Sequence, residues 1–407
     1  MTQNPSGAEP TPDSAILNDN ATTSFAITPG KTYMVRIINV SALAAFLVTF
    51  DQHKMTIIEV DGVYTKAQTT NLISLKAGQR MSVLITAKPN GNKNFAFVGA
   101  MDPTMLDSVP ATLDLNATGY LVYDDSKPLP AEAPTFKAYD AAFDDFDLVP
   151  YDGVALFKPV NHQIVLNIES GVYFNQNRYV ENFSSLPQGA TTDVHMPRFA
   201  INNVTYVEPK VPSLYTALSV GKSATNPIVY GEYANAFVVN YNDIVEIVVN
   251  NFDSGGHPIH MHGHNFQMVQ RSAANAGVYG GTPVNAPSTP IRRDVMVVNE
   301  LGYLVYRFRA DNPDKCSPVS TGFPDRLLTI VARVWAIHCH IDWHVTAGFF
   351  ATIIEAPLHL QAQSVPADHF QVCKDQGLPD QGNAAANTKN HTDLNGANDA
   401  PPVHNKG

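Results

Sequence analysis

The segment HCHIDWHVTAGF, His338 to Phe349, places three imidazoles and a thiol within seven residues. A second segment, HPIHMHGHNF from His257 to Phe266, adds four more, so half of the fourteen histidines lie in two short stretches. One hydrogen bond accounts for a lone core histidine. It does not account for two groups this dense, and metal binding is the chemistry that gathers imidazoles and a thiol in this way. Side chains alternate faces along a β-strand, which puts His338 and His340 on one side and Cys339 on the other. A single strand can therefore serve two metal sites back to back. His260 and His262 share a face by the same rule, while His257 lies beyond Pro258 and can reach elsewhere.

His344 follows Cys339 by five residues. One cysteine with two histidines is the ligand set of a blue-copper centre, a soft thiolate with imidazoles. The other four, His260, His262, His338 and His340, offer imidazoles without a thiolate and can share a cluster of metal ions. Zinc is the alternative metal, although a structural zinc site favours paired cysteines or short finger spacings and does not explain two faces.

The remainder of the chain reads as strands. QRMSVLITA sets Met81, Val83 and Ile85 on one face, and YLVYRFRA alternates in the same way. DIVEIVVNN and TYMVRIINV are richer in apolar residues and are expected to be buried on both sides. Pro, Gly and Asn separate the runs and long helical patterns are scarce, which predicts all-β sandwiches or barrels. The Pro-rich stretch DDSKPLPAEAP marks a break. We read residues 1–123 as one β-domain, 124–150 as a linker, 151–358 as a second β-domain carrying the histidine motifs, and 359–407 as a polar, mobile tail.

With 44% hydrophobic and 15% charged residues, a 407-residue chain can bury sizeable cores. A net charge of −11 argues against nucleic acid or an anionic membrane surface and suits cationic substrates. Three cysteines make no disulfide framework, and no run is long enough to span a membrane. Sequons at Asn20, Asn39, Asn116, Asn182, Asn203 and Asn390 mildly favour a secreted glycoprotein, yet the polar start MTQNPSGAEPTPDS is no signal peptide.

HPIHMHGHNF and HCHIDWHVTAGF together resemble the last two copper motifs of the multicopper oxidases. The resemblance implies cupredoxin-like Greek-key β-sandwich domains, three in the family, of which this chain looks like the second and third. It also implies a type 1 copper that takes electrons from substrate and a trinuclear cluster of type 2 and type 3 copper that reduces O2 to water. By position, His257, Cys339 and His344 match the type 1 ligands, His260 a type 2 ligand, and His262, His338 and His340 type 3 ligands. Phe349 falls where some relatives carry an axial Met, and an apolar residue there removes a weak donor and raises the copper potential. Asp342 matches an acid credited with proton delivery; the alternative is a solvated or hydrogen-bonded carboxylate. His264 matches no ligand and reads as structural, the alternative being support of a metal-binding neighbour.

The similarity is greatest to the fungal iron-uptake ferroxidases, carried by NPSGAEP, MTIIEVDGVYT, DPTMLDSVPATLDLNATGYLVY, AFDDFDL, NNFDSGGHPIHMHGH and GNAAANT. It implies Fe(II) and O2 as substrates, an iron permease as partner, and a place outside the cell or at its surface. Glu9, Asp107 and Asp253 match the family's iron site, with Asp102 a further nearby acid; any one of them alone also reads as a surface carboxylate. Arg198 stands where an aromatic is expected. Two first-domain histidine motifs are not found, so the chain is expected to be partial, with incomplete cluster ligands. Asp314–Arg333 reads as an insertion, either a retained intron or a surface loop. Cys373 resembles a C-terminal cysteine that pairs elsewhere in relatives. Two other functions stand beside ferroxidase: a laccase-like oxidase of phenols or aromatic amines, and a non-catalytic copper-binding fragment.

Overall fold

Alternating apolar residues give strands because each buries one face. In Arg80–Thr86, Met81, Val83 and Ile85 point inward and are all buried. The computed structural model describes residues 9–132, 134, 142–174, 178–180, 197–312, 333–362, 365 and 367–399. The proposed insertion, apart from Arg333, and the side chain of Arg198 lie outside the described residues.

Two β-sandwiches result, cupredoxin-like as expected. The first pairs a sheet ordered Thr32–Ile38, Arg80–Thr86, Met55–Val60, Val63–Thr70 with one ordered Thr22–Ala26, Asn116–Val122, Phe95–Met101, Phe46–Phe50, Ile73–Leu75. In the second, one sheet runs Ala236–Val239, Phe350–Glu355, Val334–Cys339, His257–Met261, Val295–Val298. Its companion is built around His162–Phe174, Ile244–Asn251, Tyr303–Arg309 and Phe266–Arg271. Both sandwiches mix parallel and antiparallel pairs; Thr22–Ala26 with Asn116–Val122 and His162–Phe174 with Ile244–Asn251 are parallel.

The expectation of two-sided burial holds for Ile244–Asn251, every residue of which is buried. It fails for Thr32–Ile38. That strand is the edge of its sheet, and Met34 and Ile38 are 48% and 57% exposed. Its edge position leaves one flank unpaired, and the face that carries Met34 and Ile38 is also left uncovered.

The two sandwiches meet across buried charge. Arg293 is fully buried; its Nε and Nη2 donate to Asp61 at 2.6 and 3.0 Å, and its Nη1 donates to Asp145 at 2.6 Å. Arg271 also donates to Asp145, at 3.1 Å. Asp145 belongs to the stretch expected to be a linker, so that stretch ends as fixed structure.

The described part of the tail around Asn383 is likewise packed where mobility was expected. Asn383 is fully buried: its amide donates to the carbonyls of His391 and Asp393, and its oxygen accepts from the N–H groups of Ala385 and Asn387. Polar composition is met here by internal hydrogen bonds in place of water. Asn383→Ala strips all four and is expected to cost about 1–3 kcal/mol locally. Hydrogen exchange would then quicken across residues 380–399 and stay unchanged at His257.

Candidate metal centres

The strands His257–Met261 and Val334–Cys339 run antiparallel, with Ile259 opposite Cys339 and His260 opposite His338. Two-residue alternation puts His257 on the face of Cys339 and His260 on the face of His338. The second strand ends at Cys339, and the short helix Asp342–Thr346 turns His344 back toward it. Cys339 Sγ lies 3.3 Å from His344 Nδ1 and 3.8 Å from His257 Nδ1, and the two nitrogens are 3.1 Å apart. One ion with bonds of about 2.0 Å to nitrogen and about 2.3 Å to sulfur can touch all three atoms.

Burial pushes the Cys339 thiol far above its usual range. The Ile341 N–H works against this, and the charges of Glu9 and Asp253 add to it. Burial also lowers the His257 pKa, against the hydrogen bond to Asp253, which raises it. A thiolate held here, beside two carboxylates, needs a cation next to it.

The second group sits on the opposite face. Donor atoms of His260, His262 and His338 lie within 4.8 Å of one another. His260 Nδ1 donates to the Asp294 carbonyl at 2.8 Å, and His338 Nδ1 donates to that of Cys339 at 2.7 Å. Each bond fixes a tautomer that leaves Nε2 as a lone pair. His338 Nε2 and His262 Nε2 are 3.1 Å apart. Burial lowers the pKa values of His260 and His338 to about 4, so protons do not hold this group together near neutrality. The His340 ring lies 5.5 Å from that of His260, and its buried Nδ1 has no hydrogen-bond partner among the described residues.

Carboxylates occupy the far side of the first group. Asp253 Oδ2 is 3.1 Å from His257 Nε2, and Glu9 Oε1 is 2.5 Å from His344 Nε2. The Glu9 N–H donates to Asp107 Oδ2 at 2.9 Å, joining the third acid, itself exposed, to the first. Burial raises the Asp253 pKa, but hydrogen bonding and charge from His257, with the Ser170 hydroxyl and the Gly255 N–H, hold it well below the usual carboxylate range. Asp102 is turned away; one oxygen accepts from Thr104 and the other faces Lys76 at 3.4 Å.

The multicopper oxidase family profiles match residues 1–126 and 206–359. The crystal structure titled "Fet3p, a Multicopper Oxidase that Functions in Iron Import" superposes with a TM-score of 0.84 at 33% identity, covering 99% of this chain and 70% of that one. The chain belongs to the multicopper oxidase family.

The iron transport multicopper oxidase FET3 of Gibberella zeae is 41% identical over 409 residues, covering 98% of this chain and 59% of its own length. Its namesake in Saccharomyces cerevisiae is 35% identical over 97% of this chain and 58% of itself. The chain thus spans somewhat more than half the length of these multicopper oxidase relatives. A laccase from Botrytis aclada shares the fold, with a TM-score of 0.64 at 22% identity over 86% of this chain and 56% of that one.

Copper is the cofactor of a multicopper oxidase, and both groups fit it: a thiolate with two imidazoles on one face, and imidazoles with free or orphaned ring nitrogens on the other. Phe349 is buried, with its ring 5.3 Å from that of His257 and 6.5 Å from that of His344. Sequence reading missed Phe199, whose ring is 4.2 Å from His344 and 5.4 Å from His257. Only the packed loop reveals it. Phe199 N–H donates to the Ala347 carbonyl, and Gly348, at φ +102°, lets the loop close to 2.3 Å between its notional Cβ and Thr205. His264 is structural, as expected: its Nε2 lies 2.9 Å from buried Glu355, which also accepts from Trp335. Asp342 has an exposed side chain, and its N–H donates to the Ala42 carbonyl.

Proposed function

We propose that this chain carries the iron-oxidising end of a ferroxidase-type multicopper oxidase, as its second and third cupredoxin domains at 1–123 and 151–358. In this reading His257, Cys339 and His344 hold a type 1 copper, and His260, His262, His338 and His340 contribute to the cluster that reduces O2 to water. When bound, copper supplies a one-electron acceptor at Cys339 and an oxygen-reducing centre on the opposite face. Fe(II) gives up one electron to become Fe(III), and four such electrons with four protons convert O2 to two waters. Asp342, exposed within the last motif, is assigned to proton delivery.

The observation that carries the reading is the pairing of Glu9 with His344 and Asp253 with His257, each carboxylate on the ring nitrogen that faces away from sulfur. Iron is a hard cation that takes oxygen ligands. Carboxylates favour Fe(III) over Fe(II), which lowers the potential of the iron couple and eases electron loss. Glu9, Asp107 and Asp253 bind the iron and set it one imidazole away from the sulfur site. The names of the relatives, iron transport and iron import, agree. The oxidised iron would pass to a permease at the cell surface. No described helix is long and apolar enough to cross a membrane.

The test needs the type 1 site alone. Fe(II) added without oxygen is expected to bleach the visible band of the copper-loaded chain. Glu9→Gln and Asp253→Asn should each slow bleaching by Fe(II) roughly tenfold or more, about 1.4 kcal/mol of barrier, and leave bleaching by hydroquinone nearly unchanged. Equal slowing with both reductants would overturn the iron site and favour a phenol oxidase. No bleaching by either would favour a non-catalytic copper-binding fragment.

A further inference from the structure

The geometry points to Arg80 as a positioning residue for the histidine cluster: through Asp294, it fixes the ring of His260 from the neighbouring sandwich. The inference rests on the reading that His260 holds copper.

Asp294 is the single residue between Arg292–Arg293, in one sheet of the second sandwich, and Val295–Val298, in the other. Its carbonyl takes two donors, the Met261 N–H at 3.1 Å and His260 Nδ1 at 2.8 Å. The position of that one oxygen therefore sets both the end of the strand His257–Met261 and the orientation of the His260 ring. The side chain of the same residue is gripped by Arg80 of the first sandwich, Nη1 to Oδ1 at 2.5 Å and Nη2 to Oδ2 at 2.7 Å. A two-pronged guanidinium contact fixes direction as well as distance, which a point charge does not.

The same turn reaches a second histidine. Arg80 Nη1 also donates to the Gly78 carbonyl at 3.1 Å. Gly78, at φ +79°, lies so close to His340 that a Cβ there would sit 2.3 to 2.8 Å from three ring atoms. Gln79 between them donates to the Val295 carbonyl at 3.1 Å. Three successive residues of the first sandwich thus brace the ring of His340, the strand after Asp294 and the support of His260. A contact meant only to hold two sandwiches together has no reason to converge on the groups that orient histidine rings. The buried Arg293 pairs already serve adhesion.

The test reads the ring directly, in the full chain. Nitrogen-15 NMR of the histidine rings in metal-free protein, assigned with His260→Gln, is expected to show His260 held with its proton on Nδ1. In Arg80→Met the ring should average between tautomers, and Cu(II) affinity at the second group should fall about 10–100-fold, with the visible band at Cys339 unchanged. Arg80→Lys, which keeps the charge and loses the fork, should recover part of both, and it carries the test if Arg80→Met does not fold. Wild-type tautomer and affinity in a folded variant would overturn the inference. If the wild type binds one copper only, the copper reading of these histidines falls, and the tautomer comparison still decides the role of Arg80.

Discussion

A Cys339→Ser chain loaded with copper is expected to be colourless. The intense visible absorption of such a site arises from charge transfer between thiolate and copper, and Cys339 is the only cysteine among the described residues that lies with two imidazoles. A serine hydroxyl is nearly the same size but stays protonated, so it supplies neither the soft donor nor the charge. Burying that hydroxyl at a wholly enclosed position costs about 1–3 kcal/mol, so melting should fall modestly while far-ultraviolet circular dichroism is retained. The second group lies on the opposite face and should still take up a metal. Cys373→Ser is the control: this thiol is buried among Val211 and Tyr215, away from the histidine motifs, and its loss should leave the colour intact. Colour surviving in Cys339→Ser would sink the type 1 assignment.

Arg293→Met should cost about 3–5 kcal/mol, the range found when one partner of a buried ion pair is removed. The loss would be read from urea unfolding. Asp61, itself buried, would be left without the guanidinium that bonds both its oxygens. Arg271→Met should cost less, because its other partner, Asp144, is more than half exposed and can return to water. The same cluster sets an acid limit. Burial raises the Asp145 pKa, but Arg271 and Arg293 lower it by more, so its folded value lies below the ordinary 3.8. Its stabilising contribution is therefore full above about pH 4 and is lost as pH falls through the folded value. Asp145→Asn should flatten that limb of stability against pH.

The two histidine motifs were legible because their residues are contiguous and a strand has one simple period. Alternation alone separated Cys339 from His338, and the structure puts them on opposite faces of one strand pair. Glu9 and Asp107 were reached only through resemblance, since nothing local ties a carboxylate at position 9 to an imidazole at 344. Phe199, Arg80 and Asp294 were not legible at all. Their roles come from contacts between segments 34 to 214 residues apart in sequence, and such contacts leave no periodic trace. The exposure of Met34 was misread because composition does not say whether both faces of a strand are covered. The tail was misread because Asn383 meets its hydrogen-bonding needs within the chain, and a polar sequence looks the same whether water or protein satisfies it.

The pairing of His260 with His338 and of Ile259 with Cys339 has a consequence for how this segment tolerates change. Deleting or adding one residue inside Val334–Cys339 would flip every side chain beyond it to the opposite face. Sulfur would then point into the all-imidazole side, and a histidine would take its former place. Substitution at Ala336 or Ile337 alters only local packing, whereas a single-codon indel there would exchange the chemistry of two centres at once. This stretch is accordingly a poor place for length variation.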